Sequence, residues 1–177
     1  MKATGIVRRI DDLGRVVIPK EIRRTMRIRE GDPLEIYTDR DGEVIFKKYS
    51  PVGEMLTEAQ GYCDTLYKSW GIAVAVCDRD GVIASAGVPK KGIMSERLSA
   101  EAEKIMEGRS LYEFTMEAQK IPMGPEGYYV SAMMPILAEG DVIGAFILLK
   151  NELKLPTEAE KALIRTAGLY LGRQLEE

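Results

Sequence analysis

At Tyr49-Ser50-Pro51-Val52-Gly53 a proline and a glycine fall within five residues, and the charge balance changes sign across them. This is the best boundary in the 177-residue chain. It separates a head, residues 1–50, from a longer domain, residues 54–177, and it sets the head a physical problem. About fifty residues bury too little surface to be comfortable as a monomer unless a disulfide, a metal or a partner makes up the difference. The head contains no cysteine and the chain contains no histidine. A second copy of the chain is the economical source of the missing core, so a homodimer sharing one core is expected.

The charges sharpen that expectation. Residues 1–50 hold twelve basic and nine acidic side chains, net +3, whereas the remainder carries net −6 and the whole chain −3. Between Arg8 and Ile28, seven cations (Arg8, Arg9, Arg15, Lys20, Arg23, Arg24, Arg27) face three carboxylates, Asp11, Asp12 and Glu21. Charge runs are more often solvated faces than binding sites. Here the patch is almost all arginine, whose planar fork matches phosphates and the guanine edge better than lysine does. A two-fold dimer would duplicate it, the paired footprint that suits double-stranded DNA.

Other chemistries find little support. Without histidine there is no Ser-His-Asp or Cys-His machinery and no imidazole ligand for a metal. Neither a G-x-x-x-x-G-K-[ST] loop nor a G-x-G-x-x-G fingerprint occurs. Cys63 and Cys77 sit in apolar surroundings with no second pair, and read as reduced core residues rather than a zinc or redox site. The longest run without a polar residue is the eight positions Val142–Leu149, too short for a membrane span, and the N-terminus is not a signal peptide. A soluble cytoplasmic protein is expected, with no catalytic residue, no metal and no membrane partner.

Within the head, Gly5–Ile10 and Arg15–Ile18 read as a hairpin closed by Asp11-Asp12-Leu13-Gly14. Pro19 suits the first turn of a short helix with Ile22 and Met26 inward, ended at Gly31. Strands Leu34–Thr38 and Glu43–Tyr49 follow around the turn Asp39-Arg40-Asp41-Gly42. The order is β-β-α-β-β. In the second domain an amphipathic helix spans Glu54–Trp70, with strands at Ile72–Cys77 and Val82–Ser85 and a helix at Ser99–Glu107. Strands Leu111–Glu117, Tyr128–Leu137 and Val142–Leu149 come next, then a helix to Leu175 that opens with Thr157 and Glu160 at capping-box spacing. The result, α-β-β-α-β-β-β-α, predicts an antiparallel sheet flanked by helices.

The segment from Lys2 to Ile28, above all G-I-V-R-R-I-D-D-L-G-R-V-V-I-P-K-E-I-R-R-T-M, resembles the N-terminal domain of AbrB-like transition-state regulators, and the similarity runs on to Tyr49. The resemblance implies a swapped-hairpin β-barrel, formed by two interleaved chains, that binds DNA. Carried over by position, its DNA contacts fall on Arg8, Arg15, Arg23 and Arg24, with Lys2 and Arg9 as auxiliary contacts. In the second domain V-A-V-C-D-R-D-G and M-P-I-L-A-E-G-D-V-I-G-A-F-I-L-L are similar to GAF domains, although PAS domains share the architecture. GAF modules often bind a small molecule against the sheet, so the resemblance implies an unidentified ligand there, to which no residue is assigned. The match is weaker between Ser85 and Tyr128, where such a pocket is usually lined.

Head and tail together resemble a family of regulators of gene expression in endospore-forming bacteria. The expectation is an α+β protein of two domains: a transcription regulator, nucleoid-associated, dimeric through the head and tetrameric through the second domain's helices. Two competing functions are an antitoxin of a toxin-antitoxin pair, which uses the same barrel, and a GAF-type reductase working through Cys63 and Cys77. Trp70 reads as core or interface packing, and Met133 and Met134 as gap fillers. Arg109, Tyr128 and Tyr129 could line a pocket, but a surface arginine and ordinary strand tyrosines explain them as well.

Overall fold

The computed structural model describes residues 4–94 and 96–176. The chain divides into two compact units, Met1–Tyr49 and Ser50–Glu177.

The first unit has almost no interior of its own. Among its described residues only Pro19 is buried. Ile6, Val7, Ile10, Leu13, Val16, Val17, Met26, Ile36, Val44 and Phe46 are all exposed. The expected hairpin is present as its turn alone: Asp11 N–H donates to Arg15 O at 3.1 Å and Gly14 N–H to Asp11 O at 3.0 Å. Among the described residues its arms form no ladder. An isolated two-stranded ribbon is marginal without a third strand or an apolar surface beneath it, and one chain offers these arms neither.

Helix α1, Lys20–Met26, begins after Pro19, whose missing N–H is no loss in a first turn. It closes at Arg27 rather than at the expected Gly31. Arg27 takes the left-handed conformation, φ 53°, and Ile28 N–H reaches back to Arg23 O at 2.8 Å, a six-to-one closure that satisfies the last carbonyls. Ile22 is half-buried, but Met26, expected to face inward, is exposed because the described residues of this unit lay no second layer over it. Strands β1, Leu34–Thr38, and β2, Val44–Lys48, pair antiparallel as expected. Asp39 Oδ1 closes their turn, accepting from Asp41 and Glu43 N–H at 3.0 Å each.

In the second unit the Pro-Gly break is itself folded, as the short helix α2, Pro51–Glu54. Ser50 Oγ accepts from Gly53 N–H and donates to Asp78 Oδ2 at 3.0 Å, and Val52 is buried. Then come α3 (Leu56–Trp70), β3 (Ala73–Asp78), β4 (Val82–Ala86), α4 (Ala100–Glu107), β5 (Tyr112–Glu113), β6 (Tyr129–Ala138), β7 (Asp141–Lys150) and α5 (Glu158–Gln174). The order of elements is the expected one. The strands form one antiparallel sheet, β4-β3-β7-β6-β5.

Alternation along the strands builds a core on each side of this sheet. Val74, Val76, Phe146 and Leu148 pack with Ala59, Cys63 and Leu66 of α3 and Ile164, Ala167 and Leu171 of α5. Ala75, Cys77, Ala145 and Ile147 pack on the other side with Leu98, Ala102, Met106 and Met123. One expected strand is shorter than its apolar run: after Tyr112 and Glu113 the chain makes one more bond, Phe114 N–H to Ser131 O, and then turns at Thr115–Ala118. The expected capping box is present, with Thr157 Oγ1 accepting from Glu160 N–H at 3.2 Å and Glu160 Oε2 accepting from Thr157 N–H at 2.7 Å.

Candidate nucleic-acid interface

Of the six cations singled out, Lys2 lies outside the described residues. Arg8 and Arg9 stand on the arm before the turn, Arg15 opens the arm after it, and Arg23 and Arg24 are consecutive on α1; all are exposed. Arg8, Arg9, Arg23 and Arg24 make no side-chain hydrogen bond or ion pair among the described residues, and none links the turn arginine to the helix pair. Two lysines of the unit are engaged instead. Lys48 Nζ lies 3.5 Å from an Asp32 carboxylate oxygen and 3.1 Å from Arg27 O, and Lys47 Nζ sits 4.4 Å from the Tyr37 ring centre. Arg27, just past α1, and Arg40, in the Asp39–Gly42 turn, are likewise exposed with no side-chain partner among the described residues, so the guanidiniums that can meet an external anion without first breaking an internal bond lie on the arm, on and just after α1, and in that turn.

Arg15 differs from the other four. Its Nε–H donates to Asp11 Oδ2 at 2.8 Å, while Asp11 Oδ1 accepts the backbone N–H groups of Leu13 at 3.0 Å and Arg15 at 2.8 Å. The backbone and side-chain bonds from Arg15 hold the Asp11 carboxyl below the usual carboxylate range. Gly14 adopts φ 77°, a left-handed conformation that glycine enters freely and that lets the four-residue turn close. Charge counting treats Asp11 only as a partial cancellation of the patch. The signal that could have found it is the aspartate three residues before the turn glycine and four before an arginine.

Sites of other chemistry are weaker. Cys63 and Cys77 lie on opposite faces of the sheet, and burial pushes both thiols up to about 12. Neither is a thiolate near neutral pH, and the two cannot work as a pair. Tyr129 is buried: its O–H bonds Glu152 O at 3.0 Å and Lys154 O at 3.1 Å, and its ring meets Phe114, so it ties down a loop. Met133 and Met134 are buried as expected, but Trp70 is exposed at the end of α3. Among the described residues no group of three or more acidic, cysteine or histidine side chains could hold a metal, and no helix is long and apolar enough to cross a membrane.

Comparison with known proteins bears on both units. The family model for the C-terminal region of stage V sporulation protein T, described as a transcription factor, matches residues 54–176, and that for the MazE bacterial antitoxin, described as antidote-toxin recognition, matches residues 7–54. Stage V sporulation protein T of Bacillus subtilis is 50% identical over 179 residues, covering 100% of both chains. The transition state regulatory protein AbrB of the same organism is 65% identical over 51 residues, 29% of this chain and 52% of that protein. A solved GAF domain, from a phosphoenolpyruvate-protein phosphotransferase of Coxiella burnetii, covers 70% of this chain and 90% of that one at TM-score 0.53 and 15% identity. The likeness shows that the second unit has the GAF fold, and the fold alone.

Proposed function

The chain belongs to the stage V sporulation protein T family of transcription factors, and from that premise we propose that it is a DNA-binding regulator of sporulation genes that grips the duplex with the arginines of its first unit. The observation that carries this reading is the set of exposed guanidiniums at Arg8, Arg9, Arg23 and Arg24 with no partner among the described residues, beside a pinned Arg15. In this reading Arg8, Arg15, Arg23 and Arg24 make the principal contacts, and Lys2 and Arg9 assist. Phosphate contacts hold the register, and one or more of the arginines reads a base edge or the shape of a groove.

The binding form is a homodimer in which two copies of residues 1–50 interleave into a swapped-hairpin barrel. Exposed Ile6, Val7, Ile10, Val16, Val17 and Met26, together with hairpin arms that lack a ladder, support a core completed by a second chain. Exposed Leu56, Tyr67, Trp70, Leu169 and Tyr170 on α3 and α5 support a second interface, and two different two-fold contacts close a tetramer. Residues 54–177, net negative, tune binding rather than contact DNA, through tetramer geometry and through any small molecule taken up by the GAF fold. The protein acts in the cytoplasm, associated with the nucleoid, and catalyses no reaction.

The antitoxin reading draws on the match of residues 7–54, which is the barrel-forming segment itself. An antitoxin of that kind adds a flexible toxin-binding tail, and in this chain a sheet packed on both faces follows instead. Titration of duplexes selected from random sequence tests the proposal. Arg23→Ala should lower the salt slope by about one unit if it contacts phosphate, or cost roughly 1–3 kcal/mol and relax specificity if it reads a base. Unchanged affinity for both Arg15→Ala and Arg23→Ala at moderate salt refutes it.

A further inference from the structure

We propose that Asp11 is a positioning residue for sequence readout: it holds the Arg15 guanidinium by Nε and leaves both terminal nitrogens free to meet one DNA group as a fork. The inference rests on the reading above that Arg15 touches DNA. A guanidinium carries five N–H donors in a fixed plane, and the bond to Asp11 Oδ2 uses the one on Nε. What remains is the end-on edge formed by the two terminal nitrogens, the geometry suited to guanine O6 and N7 or to two phosphate oxygens. Arg15 itself stays 68% exposed, so the fork is presented rather than consumed.

The turn requires less than this. Oδ1 alone closes it, by accepting the Leu13 and Arg15 N–H groups, and an asparagine side-chain oxygen could do the same. Holding Nε needs a second acceptor oxygen on the same group, which a carboxylate has and an amide lacks. A carboxylate on a surface that meets a polyanion also weakens binding by repulsion, so its presence calls for a compensating role. A long arginine side chain otherwise loses rotamer freedom on binding, and prior fixation reduces that loss. Asp12 supplies the internal control: it carries the same charge in the same turn, and among the described residues its side chain makes no bond to Arg15.

The two roles predict opposite results. In the full-length protein, affinity is measured for a duplex recovered by selection and for a random duplex of equal length. Asp12→Asn should tighten both, leaving their ratio unchanged. Asp11→Asn should tighten the random duplex similarly while the ratio of selected to random affinity falls on the order of tenfold or more, the worth of one bidentate contact. The double variant Asp11→Asn/Arg15→Ala should have the same ratio as Arg15→Ala alone, because both changes remove one interaction. Arg15→Lys keeps Asp11 and the charge, and should lose the ratio while retaining the salt slope. A ratio unchanged in Asp11→Asn, or retained in Arg15→Lys, overturns the proposal. If Arg15→Ala leaves the ratio intact, the DNA contact of Arg15 fails instead, a distinguishable outcome.

Discussion

Alanine in place of Gly172 should destabilise the second unit, against the sign that helix propensity assigns. Gly172 lies within α5, where replacing glycine by alanine ordinarily stabilises by about 1 kcal/mol. A Cβ built there would stand 2.3 Å from Leu137 O, 3.3 Å from its carbonyl carbon and 3.4 Å from its nitrogen. These are main-chain atoms of β6, inside the sheet, and no rotamer change can withdraw them. Ordinary contact begins near 3.4 Å, so α5 must retreat by about 1 Å, loosening Ile164, Ala167 and Leu171 from the core.

Overpacking of this kind costs about 1–3 kcal/mol, and because backbone is the obstacle the upper half applies. After the propensity gain the net loss is about 1–2 kcal/mol, or roughly 4–8 °C in Tm for a unit of this size. The control is Gly61 in α3, whose Cβ would meet no atom within 4 Å; Gly61→Ala should raise Tm by about 2–4 °C. Trp70 is the one tryptophan of the chain and belongs to this unit, so fluorescence-detected unfolding reports on it selectively. A Gly172→Ala protein as stable as the parent would refute the close packing of α5 on β6.

Neither cysteine should react with a disulfide reagent at pH 8 in the folded protein, and both should in denaturant; rapid labelling of the native state would contradict their burial. Thr157→Ala should cost about 1 kcal/mol, because it removes the hydroxyl that accepts from Glu160 N–H, and an unchanged Tm would show that this half of the capping box contributes nothing. Burial raises the Glu96 carboxyl above its usual 4.5, against the lowering effect of its hydrogen bond from Gly124 N–H. The folded chain therefore holds that proton more tightly than the unfolded one, and the contribution is complete below about 4.5 and lost as pH rises through the folded value. Glu96→Gln should gain stability relative to the parent as pH rises across that window in denaturant titrations; a constant difference would show that Glu96 titrates normally.

Much of the fold was legible because its signals are local. The Asp39–Gly42 turn and the Thr157–Glu160 capping box each join groups no more than four residues apart. Short apolar runs bounded by turn residues located β3, β6 and β7, and the charge segregation was plain by counting. Selecting particular arginines required the family resemblance, since all the cations of the patch count alike in a sum. Long-range packing decided the rest. Which face each cysteine occupies, and why Gly168 and Gly172 lie where α5 approaches β6, depends on atoms distant in sequence. The bond that sets Arg15 apart is as local as those turns, yet charge counting does not reveal it, because a sum treats Asp11 and Asp12 alike. The hairpin arms and Met26 mark the limit. Their apolar pattern is written in the sequence, but a side chain is buried only when other atoms exclude water from it, and a single head of fifty residues does not contain enough of them.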